Sequence, residues 1–138
     1  MSPVVCNYPI DQLDVWLPNA DHVINILPAA PGTSGMFTAE QFSRMKRGAI
    51  FYNVGRGDTV DQQALCDALE SGQIGAAYLD VTTPEPLPPD HRLWKAPNCW
   101  ITPHIAGGHR EEARVNVEHF VANFARFVRG EALVDRIF

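Results

Sequence analysis

The chain has 138 residues, of which 46% are hydrophobic and 20% charged, a balance that fits one globular domain with its own core rather than a disordered or membrane-embedded chain. Its formal net charge is −5, and the eleven Lys and Arg residues gather in no basic stripe, which argues against a nucleic-acid surface. No segment approaches the length needed to span a bilayer, the start Met1-Ser-Pro lacks a basic stretch followed by a long apolar run, and Cys6, Cys66 and Cys99 form no C-x-x-C pair. Reduced thiols in a cytoplasmic protein that meets neither membrane nor nucleic acid are expected.

Gln12–Leu17 reads as a short helix closed by Pro18, and His22–Leu27 (HVINIL) as a strand with apolar residues on both faces, ended by Pro28. A loop rich in Ala, Pro, Gly, Thr and Ser runs from Pro28 to Gly35. Thr38 with Gln41 makes a capping-box pattern for a helix that presents Phe42 and Met45 to the core and stops at Gly48. Ile50–Val54 is the second strand, cut off by Gly55-Arg-Gly57. Asp61 caps the next helix, whose Ala64, Leu65, Ala68 and Leu69 keep helical spacing up to Gly72. Ala76–Val81 is the third strand, followed by a proline-rich loop from Thr83 to Pro97, and Trp100–Thr102 is a short fourth strand. A last helix, about Glu111 to Arg129, carries Val117, Phe120, Val121, Phe124, Phe127 and Val128 on one stripe, which reads as core or interface, and an apolar tail follows. Alternating apolar strands and helices predict an α/β fold: a three-layer parallel sheet with helices on both faces, within a single domain over residues 1–138.

Chemistry in such sheets gathers at the carboxyl ends of the strands. Three segments end there: Asn53-Val-Gly-Arg-Gly57, Asp80-Val-Thr-Thr-Pro-Glu-Pro86 and Thr102-Pro-His104. They place an arginine, a carboxylate and an imidazole after three successive strands. Arg56 can hold a carboxylate substrate by a two-pronged hydrogen bond. His104 backed by Glu85 can move a proton near neutral pH. The plainer alternatives are a loop arginine paired with Asp58, a solvated surface glutamate and a structural histidine. His22, His91, His109 and His119 read as structural or exposed, and no spacing among the histidines predicts a metal site.

From about residue 12 to 134 the chain resembles the nucleotide-binding domain of the D-isomer-specific 2-hydroxyacid dehydrogenases. ADHVINILPAAPGTSGMF resembles that family's strand-and-loop entry to the domain, MKRGAIFYNVGRGDTVDQQALCDALESGQIGAAYLDV its central signature, and EPLPPDHRLWKAPNCWITPHIAG its closing one. The wording EPLPPDHRLW is most similar to the glyoxylate/hydroxypyruvate reductase branch. The resemblance implies hydride transfer between NAD or NADP and the second carbon of a small 2-oxo or 2-hydroxy acid. Arg56 would bind the substrate carboxylate, His104 would donate the proton in reduction, and Glu85 would hydrogen-bond His104 and orient it. Asp80 would meet the nicotinamide amide, Val54, Gly55 and the stretch His104, Ile105, Ala106 and Gly107 would pass backbone close to that ring, and Leu27, Pro28 and Thr33 would flank the cofactor.

The family's substrate domain and its Gly-x-Gly-x-x-Gly pyrophosphate loop are not spelled in these residues. The resemblance therefore implies the C-terminal half of a Rossmann fold, with weak cofactor binding and little activity by this chain alone. The choice between NAD and NADP would go with the missing half. The alternative is an inactive NAD-domain fragment serving as a self-associating or partner-binding module. A homodimer, or pairing with a separate missing half, follows from the edge that the first strand would leave open.

Overall fold

A computed structural model describes residues 7–108 and 110–135, so Cys6 and His109 of the readings above lie outside the described residues. The chain forms two compact units, the first running to Ala106 and the second starting at Gly107. In the first, a short helix α1 (Leu13–Trp16), flanked by 3-10 turns, leads to strand β1 (His22–Asn25), helix α2 (Ala39–Arg44), strand β2 (Ala49–Asn53), helix α3 (Gln62–Glu70) and strands β3 (Ile74–Leu79) and β4 (Cys99–Ile101). The second unit contains helix α4 (Glu112–Val128).

The four strands form one parallel sheet in the order β1-β2-β3-β4. The β1–β2 and β2–β3 crossovers carry helices α2 and α3, as parallel pairing of neighbouring strands requires a long connection, and the β3–β4 connection carries only a 3-10 turn. Helices α2 and α3 pack on one face, where Phe42, Phe51, Leu65 and Ile74 are almost wholly buried and Phe42 meets the Phe51 ring edge-on at 5.3 Å. Both helix starts follow the sequence reading. The Thr38 hydroxyl accepts from Glu40 N–H while Gln41 reaches back to Thr38 N–H, and the Asp61 carboxylate accepts from Gln63 and Ala64 N–H at 3.0 Å each.

Element boundaries differ from expectation where a side chain competes for the backbone. β1 stops at Asn25 and not at Leu27, because the Asn25 carboxamide oxygen takes the Leu27 N–H at 3.1 Å. β3 starts and ends two residues early. Ile74 already pairs with Ala49, and at the other end Asp80 turns out of the ladder with its carbonyl accepting from His104 N–H. The first helix does not close at Pro18; a 3-10 turn carries it to Asn19, with Pro18 near the turn's start, where its missing N–H costs nothing. The proline-rich loop holds a 3-10 turn, Arg92–Lys95, that no periodicity announces.

On the sheet face opposite α2 and α3, Tyr52, Tyr78 and Trp100 occupy matched register positions on three strands. Their rings stack in a row, Tyr52 on Tyr78 at 5.3 Å and Tyr78 on Trp100 at 4.7 Å. Ile24 on the same face is 62% exposed and Trp100 49%. In the second unit, Val117, Phe120, Val121, Phe124 and Phe127 of α4 are exposed, and Asn123 ties the tail down through bonds to both the N–H and the carbonyl of Val134.

Candidate active site

The site is shaped first by a buried amide network at the ends of β1 and β2. Asn25 and Asn53 pair across the sheet, and the Asn25 side chain donates to the Asn53 carboxamide oxygen at 3.0 Å and to the Thr59 hydroxyl at 2.6 Å. Asn53 in turn accepts from Gly55 N–H at 3.1 Å and donates to the Arg56 carbonyl at 3.0 Å, which also accepts from the Thr59 hydroxyl at 2.6 Å. Asn25, Asn53 and Thr59 are each at most 2% exposed. Buried polar groups persist only when fully bonded, so this network fixes the turn that presents Arg56.

The two glycines around Arg56 answer to backbone approach. A Cβ on Gly55 would sit 2.5 Å from the Leu27 carbonyl oxygen, and one on Gly57 would overlap the Thr82 carbonyl. The first contact seats the Arg56 turn against the chain leaving β1. The second seats it against the loop that carries Glu85. Arg56 itself is exposed; its Nη1 donates to the Gly55 carbonyl at 2.7 Å, and the ion pairs among the described residues do not include it, so the pairing with Asp58 does not form.

His104 follows β4 with φ at +54°, a left-handed conformation that costs a non-glycine residue about 1 kcal/mol. Its N–H donates to the Asp80 carbonyl at 2.9 Å, which holds the conformation. The Asp80 side chain completes the cradle, accepting from the Thr102 hydroxyl, from Ile105 N–H at 2.9 Å and from Ala106 N–H at 2.7 Å. Burial pushes the Asp80 carboxyl up, but these hydrogen bonds outweigh it and hold the group below the usual carboxylate value. Asp80, expected at a nicotinamide amide, thus spends most of its acceptor capacity shaping the His104–Ala106 turn.

Glu85 Oε2 lies 2.9 Å from His104 Nδ1, and its Oε1 accepts from Thr82 N–H at 2.9 Å. The hydrogen bond with His104 and the Thr82 N–H lower the Glu85 carboxyl below its ordinary value, and the charge of Arg56 adds to the effect. The two side chains are thus brought together, each partly exposed. With Nδ1 engaged, Nε2 is the nitrogen left to exchange a proton with a bound molecule. A cavity of about 570 Å³ opens beside the pair, walled by Glu85, Pro86, Leu87, Trp94, Ile101 and His104.

The remaining predicted residues divide. Leu27 and Gly55 meet where the chain leaves β1 and β2, with Pro28 and Val54 next to them in sequence. Thr33 is committed to its own loop, donating to the Pro28 carbonyl at 2.6 Å and accepting from Ala30 N–H at 3.0 Å. Ile105 and Ala106 lie on Asp80, whereas Gly107 begins the second unit. Asn25, Asn53 and Thr59 escape the sequence reading. Their only signal is an asparagine at the same place in two apolar runs, HVINIL and IFYNV. Among the described residues no group of three His, Cys, Asp or Glu side chains could hold a metal.

Comparison with known proteins places these features in context. The family described as D-isomer specific 2-hydroxyacid dehydrogenase, NAD binding domain, matches residues 4–106. The mouse protein named glyoxylate reductase/hydroxypyruvate reductase is 44% identical over 130 residues, covering 94% of this chain and 38% of its own. Glyoxylate/hydroxypyruvate reductase B of Escherichia fergusonii is 50% identical over 106 residues, covering 77% of this chain and 32% of its own. Among solved structures, a D-isomer specific 2-hydroxyacid dehydrogenase from Xanthobacter autotrophicus in complex with NADPH and MES matches with a TM-score of 0.84 at 37% identity, over 96% of this chain and 54% of that one. An NADPH-dependent glyoxylate/hydroxypyruvate reductase from Sinorhizobium meliloti, in complex with NADP and sulfate, matches with a TM-score of 0.80 at 35% identity, over 93% and 42%. The chain spans 38% and 32% of the length of the two curated relatives.

Proposed function

The chain belongs to the D-isomer-specific 2-hydroxyacid dehydrogenase family through its NAD-binding domain, and on that basis we propose that it provides the proton-transfer and carboxylate-binding side of a reductase for a small 2-oxo acid. The observation that carries this reading is the His104–Glu85 contact of 2.9 Å at the carboxyl ends of β3 and β4, in a loop seated against the Arg56 turn. Arg56 offers its guanidinium to the substrate carboxylate. His104 gives a proton from Nε2 to the carbonyl oxygen as that oxygen gains charge, and Glu85 holds the ring in line. The names of the relatives favour glyoxylate or hydroxypyruvate as the substrate.

NAD or NADP fits the residues present in one respect. Gly55, which has no side chain, closes on the Leu27 backbone beside the 41%-exposed Val54, an open surface suited to a flat ring. When bound there it would supply the hydride. No described helix is long and apolar enough to cross a membrane, and Cys66 and Cys99 are free thiols, which supports a reducing, cytoplasmic setting.

The test is to mix the chain with glyoxylate or hydroxypyruvate and NADH or NADPH and follow the loss of nicotinamide absorbance. We expect slow oxidation of the reduced nicotinamide, removed by His104→Gln and slowed about 10²-fold by Glu85→Gln. No consumption above buffer would overturn the reading for this chain. A second reading, a self-associating module, is favoured by the exposed apolar row on the sheet and by the exposed stripe of α4. The two readings are compatible if association completes the site.

A further inference from the structure

We propose that Gln62 is a positioning residue for the Glu85–His104 pair, gripping the Thr83 peptide with both ends of its amide and so fixing the turn from which Glu85 reaches the imidazole. Gln62 lies in the first turn of α3, and its Nε2 donates to the Thr83 carbonyl at 2.6 Å while its Oε1 accepts from Thr83 N–H at 2.9 Å. A primary amide facing a peptide in this way makes the same paired bonds that two strands exchange. The adjoining residues then bond inward: Thr82 N–H to Glu85 Oε1 at 2.9 Å and the Thr82 hydroxyl to the Pro84 carbonyl at 3.1 Å. Glu85 needs both of its oxygens in place, one on Thr82 N–H and one on His104.

The support is rigid where it matters. α3 starts on the Asp61 cap and buries Ala64, Leu65, Cys66, Ala68 and Leu69, so Gln62 projects from a fixed backbone. The far end of the same loop is fastened to the same helix, Arg92 donating to Gln63 at 2.9 Å, Asp67 at 2.7 Å and Glu70 at 3.0 Å. One helix therefore clamps the Glu85 loop at both ends. Without the Gln62 grip, the exposed turn at Thr83 and Pro84 regains backbone freedom, and the Glu85 carboxylate samples positions away from His104.

This inference rests on reading Glu85 and His104 as the working pair, but its test needs neither substrate nor cofactor. The Glu85 side-chain carboxyl is titrated by ¹³C NMR in the full chain and in Gln62→Ala, Gln62→Met and Thr38→Ala. Thr38→Ala removes the α2 cap and serves as a control for general loss of stability. Glu85 is held below its ordinary value by His104 and by Thr82 N–H, so Gln62→Ala is expected to raise its midpoint toward that ordinary value. Gln62→Met keeps the length of the side chain, adds no charge and loses both bonds to Thr83, and is expected to give a similar rise; it is the variant read if Gln62→Ala does not fold. Thr38→Ala is expected to lower the unfolding midpoint and leave Glu85 unmoved. An unmoved Glu85 in the folded Gln62 variants, or an equal rise in Thr38→Ala, overturns the proposal. Absence of turnover in the preceding assay touches only the functional reading, and an unmoved titration touches only the role of Gln62.

Discussion

Asn53 has no charge to offer a substrate, yet its side chain holds the Arg56 turn, accepting hydrogen bonds from Asn25 and Gly55 and donating one to the Arg56 carbonyl. Replacing it with alanine leaves the buried Gly55 N–H without its acceptor and takes one bond each from the Asn25 amide nitrogen and the Arg56 carbonyl, which keep only Thr59. Asn53→Ala is expected to cost about 2–3 kcal/mol in urea unfolding. Glu85 makes a different prediction, in pH. Its folded-state value lies below the ordinary 4.5, so its contribution to stability is fully present above pH 4.5 and is lost as pH falls through the lowered value. The stability gap between the chain and Glu85→Gln should therefore narrow as pH falls below 4.5; a gap that widens over that range would contradict this. Since the side chain is 39% exposed, solvent screening keeps the gap small. Charged residues at strand ends were legible because their chemistry shows in one dimension. Asn25, Asn53 and Thr59 were not, because a buried amide and a solvated one are spelled alike.

Among the elements, both caps of α2 and α3 could be read directly, since a capping residue acts on neighbours three positions away. Asp61→Ala is expected to cost about 1 kcal/mol and to fray the first turn of α3, measured as faster amide exchange at Gln63 and Ala64. Strand ends were less legible. The point where β1 leaves the ladder depends on the Asn25 side chain, and that of β3 on a bond to His104 that spans 24 residues. The proline loop is the extreme case: its shape is set by Gln62 and Arg92 meeting partners 21 to 29 residues away, distances that no local pattern encodes. The second glycine of Gly-Arg-Gly has the same character, since Thr82 is what demands it.

At the scale of the whole molecule, the parallel order of the sheet was legible from alternation alone, but what lies against each face was not. A parallel sheet is ordinarily covered on both sides. Here Ile24, Tyr78 and Trp100 of the first unit, and separately Phe120, Phe124 and Phe127 of the second, are each 41% exposed or more. Apolar area of this kind drives association at roughly 25 cal/mol per Å² buried. The chain is expected to self-associate at tens of micromolar, and light scattering that shows a monodisperse monomer there would count against it.

The stacked row of Tyr52, Tyr78 and Trp100 also gives the molecule an optical readout of its own sheet. Light absorbed by either tyrosine passes readily to an indole stacked 4.7 Å from the nearer ring, so tyrosine-excited emission from Trp100 reports that β2, β3 and β4 are still in register. Because Trp100 is half exposed, its emission should shift to the blue and resist acrylamide quenching when anything settles on that face. With Trp16 and Trp94 changed to phenylalanine, one fluorescence cuvette would follow both the integrity of the sheet and the arrival of whatever covers it.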